Sequence, residues 1–218
     1  MANTYNDNKN KVTELMAIHL LNNLNIAVEK NNQIDYSSVD LLVKDDIKID
    51  VQYSESLSSY GDLRVDFISA YKFIDGISIN HKDQLDIFSE FEKINNVKIA
   101  KKGKHFIPDY LDYLIVFFYN NKLNISEFDE NKSTLIQDKI VPDYTLVIKS
   151  DDLKNHILSN HAYYSNKIIK NTKNKLPDQH GSAFIPVKLE LLRESNIGFI
   201  YEKLDVDEIQ IKDYLNLF

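Results

Sequence analysis

The chain has 218 residues, 43% of them hydrophobic, enough to bury a core, so disorder is excluded as its general state. It has no cysteine, which excludes disulfides, zinc-thiolate sites and a thiol nucleophile, and leaves carboxylates, histidines and carbonyls as metal ligands. The formal charge is −7, which argues against a protein that coats nucleic acid non-specifically, yet leaves room for one that reaches it through a local basic surface.

Residues 1–8 read as a polar lead without an apolar signal region. No apolar run approaches the roughly 18–20 residues of a membrane span, so the expectation is a soluble, cytoplasmic protein with no membrane partner. Residues 9–30 show helical periodicity, with Val12, Leu15, Met16, His19, Leu20 and Asn23 near one stripe and Ile18, Leu21 and Leu24 widening it. Asn31-Asn32 ends that unit. Ile34–Val43 reads as a strand, Lys44-Asp45-Asp46 as a tight turn, and Ile47–Ser54 as an alternating strand, together a β-hairpin. A polar loop over 55–63 leads to a third strand, Arg64–Ala70. Residues 82–95 have helical character, and Lys98–Lys104 reads as a basic loop. The run Asp112–Tyr119 (DYLIVFFY) predicts a central buried strand, with Leu123–Phe128 as its partner. Tyr144–Lys149 is a further strand. Ser150-Asp151-Asp152 caps a helix over 151–161. Residues 166–181 are basic and punctuated by Gly and Pro, Phe184–Leu192 is a late strand or strand–helix junction, and the acidic tail 202–213 reads as a helix. There are no repeats or heptads. This order predicts an α/β (mixed α+β) single domain over 1–218, with a central mixed β-sheet flanked by helices.

The chemistry is expected on the hairpin. Positions 40 and 50 are equidistant from Asp45, so Asp40 and Asp50 fall opposite each other, on one face, with Cβ atoms about 4.5–5.5 Å apart. Two carboxylates that close need a neutralising charge. Mg²⁺ supplies it, being bound by one or two carboxylates plus water and phosphate oxygens. Gln52, two residues on from Asp50, shares its face. The plainer reading is a solvated strand face, and Lys48, also on that face, is either a supplementary charge or a solvated lysine.

A helix carrying Glu14, a strand carrying Asp40, a tight turn and a strand carrying Asp50-Val51-Gln52 together resemble the PD-(D/E)xK nuclease superfamily, which includes restriction endonucleases and Holliday-junction resolvases. Ser38-Val39-Asp40 stands where that family has its Pro-Asp element, and Asp50-Val51-Gln52 where it has (D/E)-x-K. Gln52 replaces the lysine, and its amide can bond a water but brings no charge. Glu14 matches the N-terminal helix glutamate of the resolvase-like branch. The resemblance implies a restriction-endonuclease-like core over 9–128. Residues 129–218 would form a C-terminal extension that could carry DNA recognition. It also implies a metal-dependent DNA endonuclease, restriction-like or nicking, with Mg²⁺ (or Mn²⁺) held by Asp40, Asp50 and Glu14, and with Gln52 positioning the attacking water. Cutting both strands would require two sites and suit a homodimer. The alternatives are a catalytically inactive relative that binds DNA or protein, and an unrelated interaction protein.

DNA contacts are expected from Lys101, Lys102 and Lys104, which with Lys98 and His105 form one acid-free basic run, and from Lys167, Lys170, Lys173 and Lys175 in another. Tyr163 and Tyr164 precede the second run, and either stack on bases or cap a helix. Arg64, one of two arginines, either clamps a phosphate or pairs with Asp62 or Asp66. Asp66 reads as structural. The histidines lack metal-site spacing, and His19 reads as a satisfied core residue. Five glycines and the lack of any Gly-rich phosphate loop argue against a nucleotide cofactor. Abundant Asn, Ile and Lys suit AT-rich coding, as in low-GC bacteria, their phages and mobile elements.

Overall fold

A computed structural model describes residues 2–30, 39–43, 47–55, 57–74, 86–121, 141–172 and 181–202. The turn 44–46, the expected strand over 123–128, Lys173, Lys175, His180 and the acidic tail beyond 202 lie outside these residues. The fold is mixed α and β, as expected, with a six-stranded mixed sheet and a four-stranded antiparallel sheet. Each belongs to its own compact unit. The first comprises Met1–Gly61, Leu111–Ser150 and Leu192–Phe218, and the second Asp62–Tyr110 and Asp151–Leu191. Both units therefore draw on both halves of the chain.

In the six-stranded unit, α1 (Ala2–Asn23) starts earlier than the polar lead suggests and ends sooner than residue 30. Asn25 turns the chain with a left-handed φ of 56°, a conformation that asparagine tolerates well. Val28–Lys30 then forms β1 in place of a last helical turn. The sheet order is β1, β2 (Leu41–Val43), β3 (Ile47–Ser54), β6 (Tyr113–Phe118), β7 (Tyr144–Lys149) and β10 (Phe199–Glu202). All neighbours are antiparallel except β3 and β6, which run parallel with Asp50 beside Leu114. β6 is buried along its whole length, as a run of six apolar residues in mid-sheet requires.

Alternation decides which residues meet α1. Its stripe of Val12, Met16, Ala17, Leu21 and Leu24 packs with Leu41, Val43, Ile49, Ile115, Phe117 and Val147, and the partly buried Ile47, Val51 and Tyr53 join them. Residues of even number on β3 (Lys48, Asp50, Gln52) consequently face away from α1. His19 is not a core residue: it is half-buried and lies 3.0 Å from the Asn23 amide. The helix does bury Lys9, which is 3% exposed and forms an ion pair with Glu55 on the strand side. Breaking such a pair leaves one buried charge uncompensated.

The four-stranded unit has the order β5 (Val97–Lys102), β4 (Asp62–Phe73), β9 (Gly181–Lys188) and β8 (Ile169–Asn171). The basic stretch 98–104 is thus mostly strand, not loop: pairing with β4 satisfies its backbone while its lysines remain at the surface. A short helix, α2 (Leu57–Tyr60), precedes β4 in the other unit. Helix α3 (Ile87–Asn95) begins where the Asp86 carboxylate accepts the Ser89 N–H at 2.7 Å. It ends at Asn96, in the left-handed region, whose amide donates to the Ile74 carbonyl. Phe67 of β4 stacks on Phe88 at 4.6 Å between ring centres and meets Phe91 and Phe106 edge-on. The Glu92 carboxylate, almost buried, accepts the Ile99 N–H at 2.7 Å and so ties α3 to β5. Gly103 closes β5 against a bulge in β4. A Cβ there would lie 1.7 Å from the Asp66 carbonyl oxygen, so only glycine fits. Helices α4 (Ser150–Ser159), α5 (His161–Ser165) and α6 (Leu189–Glu194) complete the described elements. No helix among the described residues is long and apolar enough to cross a membrane.

Candidate functional site

The register Leu41↔Ile49, Leu42↔Lys48, Val43↔Ile47 is the one the hairpin arithmetic requires. Asp40 stands just before Leu41, the last paired residue of β2. The Asp40 N–H donates to the Ile49 carbonyl at 3.1 Å, and the Asp40 Oδ2 accepts the Val51 N–H at 2.7 Å. The carboxylate thus takes over as acceptor where the β2 backbone ladder stops. Asp50 is 2% exposed and its Oδ2 accepts from the Gln52 Nε2 at 2.8 Å. Gln52 bridges back to the carboxylate two residues earlier, which the shared face of i and i+2 permits. Burying a carboxylate this deeply beside Leu114 is costly unless its charge is compensated. A divalent cation is one such compensation.

Glu14 is not brought to this group. Its carboxylate lies 2.5 Å from the Lys30 Nζ. Lys30 pairs with Leu41, on the α1 side of the sheet, and Glu14 sits on α1 itself. Asp50 and Gln52 project from the opposite side. The physical reason is the packing of α1: its apolar stripe demands the odd-numbered face of β3, and alternation then sends position 50 the other way. Among the described residues no three His, Asp or Glu side chains gather as a metal-binding group. Asp40 and Asp50 remain as the carboxylates of these two strands, of the kind that Mg²⁺ takes, since that ion keeps several waters and needs only one or two carboxylates.

Two further acids support the site's strands. Asp112 Oδ2 accepts the Lys48 N–H at 2.8 Å, and the Asp112 N–H returns to the Lys48 carbonyl. Asp143 Oδ2 accepts the Asn120 N–H at 2.7 Å. Both are acids standing just before a buried apolar strand, a recognisable signal that the search for paired carboxylates passes over. Tyr119, whose hydroxyl meets Met16 Sδ at 3.2 Å, and Tyr201 are both held well above the usual phenol range, chiefly by burial.

The expected DNA contacts belong to the four-stranded unit. Lys101 and Lys102 are exposed on β5, with Lys102 over the Phe88 ring at 4.1 Å, and Lys104 is half-buried just beyond. Lys98 lies 3.6 Å from Glu92. Lys170 Nζ donates to Asn95 Oδ1 at 2.7 Å, and Lys167 lies over Tyr163. Tyr164 is buried and hydrogen-bonded with His156 at 2.8 Å; burial pushes this phenol up to about 12 and the imidazole down. Arg64 stands 3.9 Å from Asp62 and over the Phe184 ring, while the Ser69 hydroxyl holds Asp66.

No protein-family model matches this chain, and no curated protein or solved structure matches it.

Proposed function

We propose that the protein is a metal-dependent DNA endonuclease of the PD-(D/E)xK type, with its site at Asp40, Asp50 and Gln52. The observation that supports this reading is the β2–β3 hairpin, with Asp40 at its end accepting the Val51 N–H and the buried Asp50 beside it accepting from the Gln52 amide. The central mixed sheet with a helix on its face suits the same reading. Mg²⁺ bound there would polarise the scissile phosphate and lower the pKa of a bound water. Asp40 and Asp50 would hold the ion, and the bond from Gln52 fixes the rotamer of Asp50. Glu14 has no part in the site and serves to anchor α1 to β1 through Lys30.

A second reading is an inactive relative that binds nucleic acid or protein. The placement of Glu14 across the sheet, together with Gln52 where the family has lysine, favours it. Plasmid DNA incubated with Mg²⁺ or Mn²⁺ separates the two. Nicking or linearisation that disappears in Asp50→Ala and on chelation supports the nuclease. An intact plasmid under both metals, with DNA retained on the protein, supports the inactive relative.

A further inference from the structure

We propose that the outer face of the four-stranded sheet binds single-stranded nucleic acid, with Phe184 and Arg64 at its centre. The inference rests on the nucleic-acid reading above for the class of ligand only, not on cleavage. Along β9, Gly181, Ala183, Ile185 and Val187 are buried toward the core, so Phe184 and Pro186 face outward and are only partly covered. Ile169, 46% exposed, stands opposite Phe184 on β8. Arg64 stands opposite Pro186 on β4, and its guanidinium carbon lies 5.3 Å from the Phe184 ring centre. The face ends at Lys188, also exposed. An aromatic ring, a guanidinium plane and a lysine are thus displayed together on one face of the sheet. Asp66, on the row of Phe184, is engaged by Ser69, and Asp62 is 7% exposed beside Arg64.

Charge selects the occupant. The segments of this unit hold 14 Lys and Arg against 12 Asp and Glu, whereas the rest of the chain holds 12 against 21. A polyanion is therefore favoured here over an acidic or apolar protein surface. An unpaired strand is favoured over a duplex because only unpaired bases offer their π-faces to Phe184 or to the guanidinium, and such stacking tolerates any base. The phosphates beside the stacked base would fall to Arg64 and Lys188.

The test is fluorescence anisotropy of the full chain with a fluorescein-labelled 15-nucleotide oligothymidine and with a 15-base-pair duplex, at low salt in EDTA. The oligonucleotide should bind at least about fivefold more tightly than the duplex. Phe184→Leu, which keeps apolar bulk but loses the ring, and Arg64→Ala should each weaken binding about tenfold. Lys154→Ala, which removes a like charge elsewhere in the unit, should change it less than about twofold. No binding, equal affinity for the duplex, or equal losses in all three variants overturns the platform. Because chelator excludes cleavage, failure here is separate from failure of the nuclease reading, which shows only on the plasmid with metal.

Discussion

The two units place their charges in opposite ways. In the six-stranded unit, acids are held in place by hydrogen bonds: Asp40, Asp112 and Asp143 each accept a backbone N–H, and Asp50 is buried against Gln52. In the four-stranded unit, lysines lie on the edge strands β5 and β8, and an arginine lies on an open face. The acidic total of the chain therefore belongs to one unit, while the other has a small basic excess. Net charge describes a whole surface poorly when charges segregate by unit, and the argument it makes against nucleic acid weakens accordingly. Lysines on edge strands also guard against edge-to-edge pairing, a role compatible with ligand contact.

The contrast is sharpened most by Asp50→Ala. If the acids of β2 and β3 form a metal site, plasmid cleavage with Mg²⁺ should fall on the order of 100-fold or more, with circular dichroism unchanged. Unaltered cleavage would return Asp50 to a purely structural role. Next in size is Gly103→Ala. The clash with the Asp66 carbonyl should destabilise the four-stranded unit by about 3 kcal/mol, read as a lower urea midpoint. Hydrogen exchange should show where that loss falls, and equal loss in both sheets would contradict the division into units. Asp112→Ala removes the acceptor of the Lys48 N–H and should cost about 1–2 kcal/mol, with the deficit in the six-stranded sheet.

The smallest effect is expected at Asp86→Ala, which removes the α3 cap for about 1 kcal/mol. Burial raises the pKa of Asp86, but hydrogen bonds from Ser89, the positive charge of Lys102 and a hydrogen bond from the Phe88 N–H together outweigh it, and the net shift is downward. A depressed folded pKa means that the ionised form stabilises the fold above the unfolded value of about 3.9. That stability is lost as pH falls through the folded pKa. The gap between wild type and variant should be full at pH 7 and should narrow below about pH 4 in urea titrations. A gap independent of pH would show that the charge of Asp86 contributes nothing.

Much of the architecture is legible in residue order. The apolar stripe of α1, the alternation of β3 and the continuous run of β6 follow from local periodicity, and so does the register that pairs Leu41 with Ile49, since turn position and a period of two fix it. Two expectations fail for reasons that period alone does not contain. Residues 28–30 follow the helical stripe in composition, yet the left-handed turn at Asn25 frees them to pair with β2. Residues 98–102 are polar enough for a loop, yet β4 offers them a backbone ladder.

Sequence alone thus determined the mixed fold, the buried strand and the β2–β3 register, all consequences of short-range pattern. Tertiary structure decided which side of the sheet α1 covers, and with it that Glu14 pairs with Lys30 and stands away from Asp50. It also decided that distant segments assemble into two sheets with opposite charge balance, and that Arg64 meets Phe184 across strands 120 residues apart in the chain. Such pairings depend on the burial of whole faces, which no window along the chain contains.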